Sequence, residues 1–375
     1  MHVAFVFHSY PPHPAPQPYI EADQTTRQWS KALQKEGIKV TVIHRFFVDD
    51  EIEFEGVDYL FLDDGKVGFP RPWQPTLRFN RRLIQIMKDR QVDVIHAHNP
   101  FNSLGLFTMS VLLKRYPILV QDHSGVKVIR RKPWWLKIGL SKVQAVVFSA
   151  KGQEADWVKK KVLVPSKIHF VMENTSPFSL HPRPAAREAS GLKGSPIFLW
   201  VGNLIKRKSP FIVLQAFEKT LMRTPDAKLY MLYKPEESLE SEVRAWLTER
   251  PHLKEAIILL GEVAYDDIEL YFNSADYFVA ASTSEGSGYA AIEAMSCGLV
   301  PILSDIPSFN SLTGDGEVGA LFEVGNYHEL AEVMCDLMEK PLEAEKRRTV
   351  AYYQANFSSE ALGKNMKRIY KSLLA

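Results

Sequence analysis

Short apolar runs alternate with amphipathic stretches along most of the chain. VAFVF (3–7), IKVTVIH (38–44), VDVIHAH (92–98), PILVQDH (117–123) and AVVFSA (145–150) are near-continuous in apolar character. Each therefore reads as a strand covered on both faces. A helical pattern over 23–36, stopped by Gly37, separates the first two. The pattern pauses at SPFSLHPRPAAREASGLKGSP (176–196), whose Pro, Ser and Gly content predicts a linker. A second series follows: IFLWVGN (197–203), AKLYMLY (227–233), AIILLG (256–261), DYFVAAS (276–282) and LVPILSD (299–305), with ALFEVG (320–325) as a short further segment. Strands alternating with helices predict an α/β chain with two parallel, doubly wound sheets and right-handed crossovers. The last helical pattern, 358–374, puts Leu362, Met366, Ile369, Tyr370 and Leu373 on one face.

Length agrees: 375 residues exceed one ordinary core and suit two domains. A formal net charge of +2 gives no global field that would argue for nucleic acid. The two cysteines, Cys297 and Cys335, stand outside any CxxC or Cys/His cluster, which argues against a zinc site or a disulfide framework. The start, MHVAFVFHSYPP, lacks the basic residues and the length of a signal peptide and reads as a first strand. No apolar run reaches the roughly 18 residues of a membrane span. The expectation is a cytoplasmic protein.

Ligands of doubly wound sheets bind at the carboxyl ends of the strands. After DYFVAAS comes STSEGSG, then the helical YAAIEAMSC closed by Gly298. Gly286 and Gly288 let backbone approach a ligand, and free N–H groups at the helix start attract anions. Glu285 falls on the loop and Glu293 in the second turn of the helix. Two such carboxylates can each accept a pair of hydroxyl hydrogen bonds. Glutamates eight apart are also common on solvated helix faces, but Glu293 lies in the apolar AAIEAM, where a carboxylate needs a partner. His96 and His98 share a strand face, yet metal binding needs a further ligand that is not evident. The doublets Asp49-Asp50, Asp63-Asp64 and Asp266-Asp267 read as solvated or capping carboxylates in turns or helix starts.

These motifs carry a family resemblance. FLWVGNLIKRKSP, the block from LLGEVAYDDIEL through STSEGSGYAAIEAMSCGLVPILSD, and GDGEVGALFEVGN resemble the retaining glycosyltransferases of the GT-B fold, family 4, also called glycosyl transferases group 1. SKALQKEGIKVTVI, DVIHAHNP and QDHSG extend the resemblance, more loosely, into the first half. It implies two Rossmann-like domains facing each other across a cleft. An acceptor-binding domain would span 1–180 and a nucleotide-sugar domain 190–357, with the helix at about 358–375 crossing back to the first. It implies transfer of a sugar from a nucleotide donor with retention, without a metal or other cofactor. By resemblance Glu285 holds the donor sugar, aided by Gly286, Ser287 and Gly288, and Glu293 binds the ribose. Lys208 neutralises the diphosphate, Gly202 and Asn203 belong to the donor loop, and His123 lies close to the reacting sugar.

The chain departs from the family pattern in places. Asn203 replaces the usual arginine, which leaves Lys206 or Arg207 to supply that charge. The Gly-Gly turn of the first domain is replaced by PPHPAPQPYIEADQ, Tyr233 stands where a glycine is usual and is expected to crowd or stack near the nucleotide, and Asn174-Thr175 alters another turn. VKVIRRKPWWLKIGLSK (126–142) interleaves basic residues with Trp134 and Trp135, a pattern suited to peripheral contact with the inner face of a membrane, or to a loop and helix covering the sheet. The expected function is transfer to a saccharide, lipid-linked or small-molecule acceptor, in cell-surface polysaccharide or glycolipid synthesis. The alternatives are a non-catalytic binding or scaffold relative, and a GT-B sugar-nucleotide epimerase or phosphorylase. A dinucleotide oxidoreductase is set aside, because FHSYPPH and not G-x-G-x-x-G follows the first strand.

Overall fold

In the first strand, β1 (His2–Phe7), Val3 and Phe5 join one core cluster while Ala4 and Val6 join another. Alternate strand residues face opposite sides. Both faces are therefore covered, and the unbroken apolar run follows from that. The computed structural model in which this is seen describes residues 1–10, 15–63, 77–101, 103–123 and 133–375. The chain divides into two compact units, Met1–Asn174 with Ser359–Ala375, and Thr175–Ser358.

The first unit holds β1, β2 (Lys39–Phe46), β3 (Asp50–Phe54), β4 (Val57–Asp63), β5 (Val94–His98), β6 (Ile118–Gln121), β7 (Ala145–Phe148) and β8 (Ile168–Phe170). Their order is β3-β4-β2-β1-β5-β6-β7-β8, parallel throughout except for the antiparallel β3. The hairpin β3–β4 was not predicted. Its turn residues Glu55 and Gly56 both have positive φ, 53° and 74°, as a two-residue hairpin of the primed type requires. The second unit holds β9 (Ile197–Asn203), β10 (Lys228–Lys234), β11 (Ile257–Gly261), β12 (Tyr277–Ala280), β13 (Val300–Ser304) and β14 (Ala320–Phe322), in the order β11-β10-β9-β12-β13-β14 and all parallel. Strand order reverses at β1/β5 in one sheet and at β9/β12 in the other. Such switch points open a crevice at the carboxyl ends.

Two segments read as irregular are helical. Pro16–Ala22 forms a short helix inside the proline-rich stretch, with proline in its first turn, where a missing N–H costs nothing. The expected linker contains the helix Arg183–Ser190, ended by Gly191 in the left-handed conformation. Arg183 and Arg187 both pair with the buried Asp276, at 2.5 and 2.7 Å, and so tie this helix to the start of β12.

The last helix, Ser359–Leu374, packs on the helix Gln24–Lys35 of the first unit. Leu362, Met366, Ile369 and Tyr370 are buried, and Lys367 Nζ donates to the Glu36 carbonyl at 2.6 Å. Gly363 sets the approach: a Cβ there would stand 2.4 Å from the Ala32 carbonyl oxygen, which is backbone and does not move aside cheaply. Gly363→Ala is therefore expected to destabilise the first unit by about 1–3 kcal/mol despite the better helix propensity of alanine. Urea unfolding followed by Trp fluorescence checks it; an unchanged midpoint would contradict the contact.

Candidate functional site

β9 and β12 are neighbours, so the segments that follow them meet. After β9 a single turn, Lys206–Lys208, leads through Ser209 (φ 47°) into the helix Pro210–Arg223. Opposite it, Lys208 Nζ lies 2.6 Å from Glu285 Oε1 and an Arg207 amine 2.8 Å from Glu285 Oε2. Ser282 Oγ also donates to Oε1, at 2.7 Å. The Glu285 side chain is only 9 % exposed, against 17 % for Lys208 and 40 % for Arg207. Burial pushes the Glu285 carboxyl up, but Lys208, Ser282 and Arg207 together outweigh it and hold it below its ordinary value. The two loops are also stitched by backbone: Thr283 N donates to the Arg207 carbonyl at 2.9 Å, and the Arg207 guanidinium to the Ser284 carbonyl. Of the two residues expected to replace the missing arginine, Arg207 is the one that reaches Glu285. Gly202 lies against the lysine, a Cβ there standing 3.4 Å from Lys208 Cε in ordinary contact, and its φ of 154° is the feature that favours glycine. Asn203 is the exposed last residue of β9.

The helix Tyr289–Ser296 starts directly after this loop, with Gly288 at its N-cap in the left-handed region (φ 77°). A Cβ on Gly288 would meet Phe309 Cε1 at 2.9 Å, so the turn can pack only as glycine. Gly286 is half-buried, Ser287 buried and Tyr289 exposed. Glu293, in the second turn, is 7 % exposed. Burial raises its pKa to about 7, against the opposing pull of the Tyr265 hydroxyl, which donates to Oε1 at 2.6 Å. Tyr265, whose hydroxyl supplies that partner, was not singled out in the sequence. Tyr233 corrects an expectation. It is 3 % exposed, packs in the core of the second unit and donates its hydroxyl to Glu240 at 2.9 Å, so it is no platform for a base.

In the first unit, His44, Phe7 and His98 occupy matched registers on β2, β1 and β5, and their rings stack across the strand ends. His123 follows β6. Its Nε2 lies 2.7 Å from His98 Nδ1 and its Nδ1 lies 2.5 Å from Glu173 Oε2. His96 turns to the last helix instead, 2.7 Å from the Tyr370 hydroxyl. The His98 and His96 rings are kept neutral first by burial and then by neighbouring imidazoles; His96 is lowered to about 3. Glu173 carried a weak sequence signal: a lone acid in the apolar FVMEN beyond a strand.

Among the described residues, no group of three or more His, Cys, Asp or Glu side chains could hold a metal ion. Asp49 is no helix cap; it accepts from Asp63 N at 2.9 Å and pairs with Arg82. Asp50 begins β3, Asp266 and Asp267 occupy a first helical turn, and Asp64 lies outside the described residues. So do residues 11–14 of the proline-rich loop, 124–125 of QDHSG and 126–132 of the basic-aromatic segment. The rest of that segment is the helix Pro133–Leu140, with Trp134, Trp135 and Ile138 exposed. Beside it lies a groove of about 550 Å³ lined by Lys137, Lys161 and Lys167 with Leu140, Val162 and Val164. Among the described residues, no helix is long and apolar enough to cross a membrane.

Comparison with known proteins places both halves. Residues 182–357 match the family model for Glycosyl transferases group 1, and residues 22–171 that for Glycosyltransferase Family 4. The GDP-mannose:cellobiosyl-diphosphopolyprenol alpha-mannosyltransferase of Xanthomonas campestris is 28 % identical over 239 residues, 62 % of this chain and 61 % of that protein. The lipopolysaccharide core biosynthesis mannosyltransferase LpsB of Rhizobium meliloti is 24 % identical over 312 residues, 80 % and 86 % of the two chains. The match thus spans about three-fifths of the first of these relatives. Among solved structures, sucrose-phosphate synthase from Thermosynechococcus elongatus superposes with a TM-score of 0.71 at 19 % identity, covering 99 % of this chain and 98 % of that one. HepE from Anabaena, solved in complex with UDP, gives 0.73 at 15 % identity, covering 99 % and 100 %. At these identities the likeness is one of fold: two parallel α/β units of GT-B type.

Proposed function

The chain belongs to the glycosyltransferases of family 4, and on that premise we propose that it transfers a sugar from a nucleotide-sugar donor to a saccharide or lipid-linked acceptor, with retention and without a metal. The observation that carries this reading is the Glu285–Lys208–Arg207 cluster at the β9/β12 switch point. The anionic donor diphosphate takes the two cations, and Glu285, freed from them, accepts hydroxyl bonds from the sugar. The bond between the anomeric carbon and the diphosphate oxygen breaks, and the acceptor oxygen attacks the same face. The acceptor's proton passes to the departing diphosphate. Charge grows on that leaving group in the transition state, which is where Lys208, Arg207 and the amides at the start of the helix Tyr289–Ser296 stabilise it. Fixed cations do here what a metal does in other transferases. Glu293 accepts from the ribose in place of, or beside, Tyr265.

The relatives' acceptors, a diphosphopolyprenol-linked sugar among them, support a lipid-linked substrate here. Incubation with UDP-, GDP- and ADP-sugars, read by mass spectrometry and by the anomeric coupling of the product, tests the assignment. Transfer with the donor's configuration kept, undiminished by EDTA, is expected; an inverted product or loss of activity with chelator would overturn retention or metal independence.

We also propose peripheral membrane contact through the helix Pro133–Leu140. Its exposed Trp134, Trp135 and Ile138 adjoin the lysine-lined groove, a combination that suits an anionic interface. In flotation with vesicles containing anionic phospholipid, the protein is expected to rise with the lipid at low salt. Trp134→Ala/Trp135→Ala together are expected to cut the bound fraction at least fivefold. Equal binding to neutral vesicles, or none to either, would remove the idea.

A further inference from the structure

His123 has both ring nitrogens engaged inside the first unit. The His98 and His123 planes lie within 13° of each other, with centroids 5.0 Å apart and nitrogens 2.7 Å apart. Those values fit two rings joined edge to edge in nearly one plane, since face-to-face stacking would not bring two nitrogens so close at that centroid distance. A hydrogen bond between ring nitrogens needs one donor and one acceptor. An ionised Glu173 only accepts, so His123 Nδ1 carries a proton. In neutral His123 the Nε2 then accepts from His98 Nδ1–H, and the chain runs His98, His123, Glu173 in one direction. His98 Nε2 is buried and has no hydrogen-bond partner among the described residues, and none of these favours the opposite tautomer from its far side.

Glu173 is itself held firmly. Its side chain is 6 % exposed, and its backbone carbonyl accepts from Trp29 Nε1, the indole being buried on the helix Gln24–Lys35. A buried carboxylate needs a partner. The partner here is an imidazole still 35 % exposed at the end of a strand next to the sheet's switch point. We propose that Glu173 is a positioning residue of the transfer reaction. It acts through His123, fixing the tautomer and plane of that ring, while His98 holds the other edge. A sugar hydroxyl that binds His123 takes Nε2 from His98, and the ring then keeps its place through Glu173. This rests on the transferase reading above for its consequence, but the relay exists or fails independently of it.

Among the described residues, the titratable groups around His123 are His98 and His96 on β5, Asp122 beside it in the chain and Glu173 beyond β8, with His44 on β2 one step further, beside His98. Glu173→Gln is nearly isosteric and leaves the Trp29 bond, which goes to backbone, in place. Side-chain ¹⁵N–¹H correlation spectra of the full chain decide the relay. His123 Nδ1 is expected to carry the proton in the parent. In Glu173→Gln the ring is expected to lose its fixed tautomer, because an amide facing Nδ1 can donate as well as accept where a carboxylate only accepts. Glu173→Asp is expected to restore it in part. A tautomer unchanged in Glu173→Gln, or an unprotonated Nδ1 in the parent, overturns the proposal. In transfer assays, Glu173→Gln is expected to lower kcat at least tenfold with little change in donor KM, and to change the shape of the pH–rate profile. A kcat loss with an unchanged profile means a merely structural residue and also overturns it. If no donor is turned over by the parent, the transferase reading falls, and the spectra still report on the relay.

Discussion

Lys208→Ala is expected to lower kcat by two to three orders of magnitude, with a much smaller effect on donor KM. Losing one preorganised group aimed at developing charge typically costs 10²–10³ in rate. The free protein shows why Lys208 is preorganised. Its Nζ is held in place by a mostly buried Glu285 at 2.6 Å until the diphosphate takes it over, so the charge already stands where the leaving group develops its own. The fold is expected to survive, because Glu285 keeps Arg207 and Ser282 as partners. Glu285→Ala is expected to match the loss, and the double variant to be far from additive, as for groups that act as one unit. Steady-state kinetics with the preferred donor check this. Either single variant within tenfold of the parent would remove the cluster from the chemistry.

The second expectation is that acid loosens the first unit and tightens the second. His8, His44 and His96 are lowered to about 4, 3 and 3 by burial, and His98 is lowered well below its ordinary value for the same first reason. Each binds a proton in the unfolded chain below pH 6.5 and refuses it in the folded one. Their stability contribution is present above pH 6.5 and is lost as pH falls toward the folded values. Between pH 7 and 5.5 this amounts to about 1 kcal/mol per histidine and on the order of 4 kcal/mol together. Glu293 works the other way. Its folded pKa of about 7 lies above the unfolded 4.5, so the second unit carries a penalty that is full above pH 7 and disappears toward pH 4.5. Over the same interval the second unit gains about 1.5 kcal/mol. Glu285, lowered in the fold, enters only below pH 4.5 and leaves this window alone. Calorimetry at pH 7 and 5.5 is expected to show two transitions displaced in opposite directions. Glu293→Gln is expected to raise the second transition at pH 8 while weakening nucleotide binding. Transitions that fall together on acidification would refute the burial argument.

Much of this was legible in the chain. A strand buried on both faces shows as an unbroken apolar run, and a long stretch with one apolar face reads as a helix, so the six strands of the second sheet, five of the eight in the first and the last helix were found near their observed bounds, while β3, β4 and the three-residue β8 were not. What escaped was written in other terms. EIEF alternates acids with apolar residues and VDYLFLD brackets its apolar run YLFL with two aspartates, so the edge hairpin they form was masked by its acids. The helices at Pro16–Ala22 and Arg183–Ser190 hide behind prolines that stand where helices begin. At the site, Glu285 was singled out from its strand–loop–helix context and Lys208 by resemblance, but their contact depends on β9 lying next to β12. The His98, His123 and Glu173 trio spans 75 residues of chain and exists only because β5, β6 and β8 end on one edge of a sheet. Spacing along a sequence does not carry that information.

The seating of Ser359–Leu374 on the first unit has a bearing on how the molecule is made. Tyr370 meets His96 across a sequence separation of 274, and Gly363 lies on Ala32. During synthesis the N-terminal sheet emerges early, yet Ala32, Glu36 and the face of Gln24–Lys35 around them lack their cover until Ser359–Leu374 has been made. The second unit, Thr175–Ser358, is contiguous and can close in the meantime. The unit whose strands are translated first thus gains this covering helix only after the second unit has been made, and for that interval the uncovered side of Gln24–Lys35 is open to misassociation.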